Sequence, residues 1–191
     1  MLTLAEMGSS LYGAWRLAHF DPDGMRFFDR SLAGFWRSFR VAILAAPLWI
    51  VILVVNLAQM QITGGWLRVV LAEVIAYVIA WVAYPLAAFY LTQFINRERE
   101  YVGFVVALNW GALLQLAILT PAHVLAGTDL LPTGMGVVLV LVAEFAALAY
   151  EWFITRAALK IPSLGAAGFV LIDFMIGNLV NQIANWEAGA V

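Results

Sequence analysis

Residues 134–155 read GMGVVLVLVAEFAALAYEWFIT, and this stretch decides the fold. Nothing in it is charged except Glu144 and Glu151. At ~1.5 Å of rise per residue, a helix of this length crosses the ~30 Å hydrocarbon core of a bilayer. Apolar stretches of the same kind flank it at about 41–59, 66–92, 101–123 and 162–184, which predicts an all-α chain with five transmembrane helices. Gly64 and Gly65, the cluster Asn96–Glu100, the segment Gly127–Pro132 and Lys160-Ile161-Pro162 separate the spans. Composition agrees: 64% of residues are hydrophobic and 12% charged, whereas a soluble domain carries about a quarter charged. Such a chain has too few polar side chains to cover a globule in water. Three segments follow, a cytoplasmic arm over 1–40, a transmembrane domain over 41–184 and a short external tail over 185–191.

Charge sets the expected orientation. Arg16, Arg26, Arg30, Arg37 and Arg40 precede the first span, Arg97 and Arg99 join the second to the third, and Arg156 and Lys160 join the fourth to the fifth. Only Arg68 falls on the other side. The positive-inside rule then places the N-terminus in the cytoplasm and the C-terminus outside, as in a bacterial-type inner membrane. Trp36, Trp66, Trp152 and Trp186 near the span ends read as interfacial anchors. Residues 1–40 hold Glu6, His19, Asp21, Asp23 and Asp29 with no apolar core, so a cleaved signal peptide is not expected.

Within the arm, Phe28, Leu32, Phe35, Trp36 and Phe39 recur at helical spacing, with Arg26, Arg30 and Arg37 opposite and Arg40 following. This pattern predicts an amphipathic helix lying in the headgroup plane, its rings in the acyl boundary and its guanidinium groups on anionic lipid or a partner protein. Upstream, Asp21-Pro22 reads as an N-cap with proline at the first helical position, and a short helix is expected around Ser10–Phe20.

Acidic residues inside a span normally face protein, water or a counter-charge, because an ionised carboxylate at mid-bilayer costs at least ~2.5–3.5 kcal/mol. Counted from the flanking prolines and charges, Glu144 and Asp173 both fall near the midplane, and their spans are antiparallel. They are therefore expected to meet and share a proton. Glu73, Gln115 and Asn178 form a second polar level toward the outer face, and Asn109 and Glu151 a third toward the cytoplasm. Asp173, Gly177 and Asn181 make one stripe, and Glu144 and Glu151 another. Together the stripes predict a polar seam, serving either as static interhelical glue or as an ion pathway. Small residues at Ala107/Gly111, Ala143/Ala147 and Gly165/Ala166/Gly168 permit close helix packing.

Other chemistry is excluded. Lack of cysteine removes disulfides, thiolate nucleophiles and cysteine-based metal sites. His19 and His123 fall on opposite sides of the membrane, and no metalloprotease, Walker or Rossmann motif occurs, so neither metal nor cofactor is expected. A net charge of −2 offers no basic field for nucleic acid. No serine has a base beside it, and Asp173 is the lone aspartate within the spans. The chain is accordingly read as a non-enzyme.

Five spans, a cytoplasmic arm and an almost absent outer tail resemble the layout of the Yip family of small membrane proteins. Ser10-Leu11-Tyr12-Gly13 matches the centre of that family's Asp-Leu-Tyr-Gly-Pro signature without its flanking acid and proline. The resemblance implies a role in vesicle trafficking for eukaryotic members, and no functional residue carries over. Two functions are expected from the residues themselves. One is a scaffold or accessory subunit organising lipids or a membrane complex; the other is a small proton-coupled transporter or channel acting as an oligomer through the intramembrane carboxylates, with a membrane protein partner or a homo-oligomer open to either.

Overall fold

The structure, a computed structural model, describes residues 3–59, 65–128, 130–132 and 134–188. Among these, all regular structure is helical. An arm of α1 (Leu4–Ala18), a 3-10 helix (Pro22–Phe27) and α2 (Leu32–Ser38) precedes five long helices, α3 (Val41–Leu57), α4 (Trp66–Phe94), α5 (Tyr101–Ala126), α6 (Met135–Leu159) and α7 (Ser163–Ala188). Each long segment is of a length and apolarity that crosses a membrane, the first counted together with α2. The tail expected from residue 185 is helical through Ala188, and its last three residues lie outside those described.

Helix α5 is the hub. It packs against α3 on one side and α6 on the other, α6 packs on α7, and α7 on α4. The order around the bundle is thus α3, α5, α6, α7, α4. Close approach of α5 to α6 depends on Gly111, where a Cβ would stand 2.5 Å from Ile154 Cδ1. Ala107 and Ala147, buried at the same interface, serve the same end. Gly165 and Gly168 do not: a Cβ at Gly168 meets nothing within 4 Å. Pro47, Pro85 and Pro121 lie inside α3, α4 and α5, and the helices continue through them as membrane helices do.

The single amphipathic helix expected over 26–40 does not form. Asp29 accepts the Ser31 N–H at 2.9 Å, and Ser31 Oγ caps the Gly34 N–H at 3.0 Å. Local side-chain bonds of this kind end one helix and start the next. Phe28 is consequently buried, Phe35 packs on the core, Arg30 donates to the Met25 carbonyl, and Arg37 pairs with Glu6 and Asp29. Of the residues assigned to lipid or partner contact, Arg26, Arg30, Trp36 and Arg40 remain exposed. The Asp21 cap with Pro22 at its first position is present, opening a 3-10 helix.

Instead of lying free, the arm is sewn onto the bundle. Ala14 and Leu17 are fully buried, Tyr150 OH donates to the Ala14 carbonyl at 2.9 Å, and Asn109 Nδ2 donates to Ser38 Oγ at 2.9 Å. Its two loops are held by carboxylates. The Arg16 guanidinium donates to Asp21 through Nε at 2.6 Å and holds that carboxyl below its ordinary value; the Ser31 backbone N–H does the same for Asp29, with Arg37 adding to it. Depressed values mean that this contribution is complete above the ordinary value of 3.8 and is lost as pH falls through the lowered ones. Protection factors of the α1 amides are therefore expected to hold from neutrality down to mildly acid pH and to collapse below pH 3.8; unchanged protection there would show that these carboxylates do not hold the arm.

Candidate functional site

A cavity of about 660 Å³ lies inside the ring of helices and takes lining residues from all five. Why it is polar follows from helical spacing. On α4, Glu73, Tyr77 and Tyr84 fall on one face; on α6, Glu144 and Glu151 do; on α7, Asp173, Gly177 and Asn181 do. Helix α5 supplies Asn109, Gln115 and His123, and α3 supplies Asn56. Every polar intramembrane residue singled out from the sequence therefore reaches this one cavity.

The pairing within it differs from the expectation. Asp173 faces Glu151, with their carboxyls within hydrogen-bonding reach and Gln115 beside Glu151. Glu144 lines the cavity away from that pair, half-buried. The reason is where α6 ends. That helix runs to Leu159, so depth in the α6–α7 hairpin must be counted from the turn at Lys160–Pro162. Glu151 stands nine residues before Lys160 and Asp173 eleven after Pro162, whereas Glu144 stands sixteen before Lys160, level with Asn178.

Glu151 is 5% exposed, and its Oε1 has no hydrogen-bond donor. Asp173 brings only another acceptor to the pair, and the Gln115 amide is the neighbouring donor to the Glu151 carboxyl. Close by, the buried Tyr84 hydroxyl and Thr155 Oγ1 lie beside one another. Buried polar groups in native proteins are nearly always satisfied. Of these atoms, Glu151 Oε1 and the Tyr84 hydroxyl belong to residues that line the cavity.

The remaining polar residues hold the frame. Gln115 Nε2 donates to the Ala147 carbonyl at 3.0 Å, bracing α5 on α6, and Asn178 Nδ2 donates to the Phe174 carbonyl of its own helix at 2.7 Å. Asn109, which lines the cavity, also bonds the arm through Ser38. Between α3 and α4 the wall is thin. Their backbones come close at almost no point, and side chains fill the gap: the Trp49 and Tyr77 rings stack at 4.3 Å, and Tyr77 OH donates to the Ala42 carbonyl at 2.6 Å.

Sequence reasoning missed the aromatic wall of Trp49, Tyr77, Trp81 and Tyr84. A signal existed, because Tyr77, Trp81 and Tyr84 share the face of Glu73 at helical spacing. Among the described residues no group of three or more His, Cys, Asp or Glu is disposed to hold a metal ion. Compared with known proteins, the chain matches no family model, no curated relative and no solved structure.

Proposed function

We propose that the protein is a non-enzymatic multi-pass membrane protein that moves protons, coupled to a small solute, through the cavity between its five helices. One observation carries this reading: two facing carboxyls, Glu151 and Asp173, stand in a cavity that all five spanning helices line. Ionisable groups inside a membrane are costly and persist where they serve a pathway. Glu73 and Glu144 extend the carboxyl series toward the side away from the arm, which gives a proton intermediate stations. The distribution of Arg and Lys supports a cytoplasmic arm and an inner-membrane location. The Yip resemblance rests on layout alone.

Reconstituted into liposomes with an imposed pH gradient, the protein is expected to carry a proton flux that Glu151→Gln and Asp173→Asn each lower at least ~10-fold, with insertion unchanged, by analogy with the effect of removing a titrating group from a relay. Flux equal to wild type in both variants would overturn the reading.

A second reading, a scaffold or accessory subunit, is favoured by the outer surface of the arm. Leu32 and Trp36 are each 70% exposed beside Arg40, an aromatic and basic surface suited to lipid headgroups or a partner. Mass spectrometry of the protein purified in mild detergent is expected, on this reading, to show a stoichiometric companion that Trp36→Ala removes.

A further inference from the structure

We infer that the ligand of the cavity is a small organic ammonium ion with at least one N–H and an apolar body, and that it exchanges for the proton held between Glu151 and Asp173. The inference rests on the transport reading and names its substrate class.

Four observations converge on this chemistry. First, the lining holds four carboxyl residues, Glu73, Glu144, Glu151 and Asp173, and no lysine or arginine. A cavity of that charge selects against anions and attracts cations. Second, Oε1 of Glu151 is buried and lacks a donor, and an ammonium N–H supplies one as a charge-assisted bond. Third, a bare metal ion does not fit, because no three His, Cys, Asp or Glu among the described residues converge and hard cations need six or more oxygen ligands. Fourth, Trp49, Tyr77 and Trp81 stand in sequence along the wall, with centroids 4.3 and 6.1 Å apart. Aromatic faces attract cations and accept hydrocarbon. The volume of about 660 Å³ suits a small molecule.

Exchange keeps the charge of the cavity constant. One ammonium ion enters, donates an N–H to Glu151 Oε1, and one proton leaves the carboxyl pair for water. The other titratable groups of the lining are placed around this event: Glu73, Tyr77 and Tyr84 face it from α4, His123 from α5 and Glu144 from α6, while α3 offers only the neutral Asn56. Glu151 and Asp173 are the pair in direct reach of one another, which makes them the exchange site.

The test uses the full chain in nanodiscs of zwitterionic lipid, with benzylammonium as the probe and benzyl alcohol as its uncharged counterpart of the same shape. Calorimetry in two buffers of different ionisation heat counts the protons released, after subtraction of empty nanodiscs. Saturable binding of benzylammonium with release of about one proton is expected, with an affinity at least ~10-fold above that of benzyl alcohol. Glu151→Gln and Asp173→Asn should each abolish proton release. Trp49→Leu should weaken binding ~2–5-fold, the loss of one cation–π contact, and leave proton release intact. Equal affinity for the alcohol, absence of saturable binding, or proton release that persists in both carboxyl variants would each overturn the inference. If a carboxyl variant does not fold, the amine-to-alcohol ratio and Trp49→Leu still decide it. Carboxyl-dependent proton flux without benzylammonium binding overturns the substrate class and leaves the transport reading standing; the absence of both overturns both.

Discussion

Trp110→Ala is expected to be the most damaging single substitution in the spanning helices, destabilising the fold by about 3–5 kcal/mol. Trp110 lies on α5, is 1% exposed, and packs in the core with Phe104, Tyr150 and Ile154. Lipid tails are as apolar as these side chains, so water exclusion gives little drive for helices to associate within a bilayer. What remains is dispersion between closely packed atoms, and truncating the largest fully buried ring removes more of it than any other change. The neighbouring Gly111 lets α6 come close, so the void opens at the most extensive helix contact. Thermal unfolding of the purified protein checks this, with Leu179→Ala as the comparison. Leu179 is 58% exposed on α7, and its truncation should change stability by less than ~0.5 kcal/mol. Similar losses in the two variants would remove α5 from its place as the hub.

Gly24→Val is expected to detach the arm and leave the spans in place. A Cβ on Gly24 would stand 2.6 Å from the Gly13 carbonyl oxygen, and one on Gly13 would stand 2.8 Å from the Gly24 oxygen. Each glycine thus meets the other's backbone, and no rotamer change relieves the clash. Overpacking of this sort costs about 1–3 kcal/mol, enough to populate an undocked arm. Separation of α1 from the 3-10 helix would expose Leu17, Ala14 and Met25, all buried in the folded arm. Limited proteolysis should then cut within residues 3–40 while the helices from α3 onward stay protected in the membrane. Resistance equal to wild type would mean that the arm is held by its contacts to α5 and α6 alone.

The five spans were legible because an apolar run long enough to cross a bilayer leaves little alternative to a helix. The membership of the cavity was legible too, since a polar residue at helical spacing within such a run must face inward. Which carboxyls meet was harder. The expected partner of Asp173 was Glu144, and it is Glu151, because depth depends on where α6 stops and Arg156 lies within the helix rather than past it. A hydrophobicity pattern does not mark that boundary; the left-handed Lys160 that ends the helix does. In the arm, apolar spacing from Phe28 to Phe39 suggested one continuous helix. The two bonds made by Asp29 and Ser31 outweighed it, and Arg37 turned inward to Glu6, a carboxylate 31 residues away.

The hydrogen bond from Tyr150 to the Ala14 carbonyl spans 136 residues of chain. Synthesis proceeds at roughly 5–20 residues per second, so the arm emerges roughly 7–30 s before its seat on α6 exists. During that interval Leu17, Phe28 and the rest of its apolar face have no surface of their own chain to rest on beyond the helices already inserted. A nascent arm of this kind is made well before the helix that seats it and is among the last elements to reach its place.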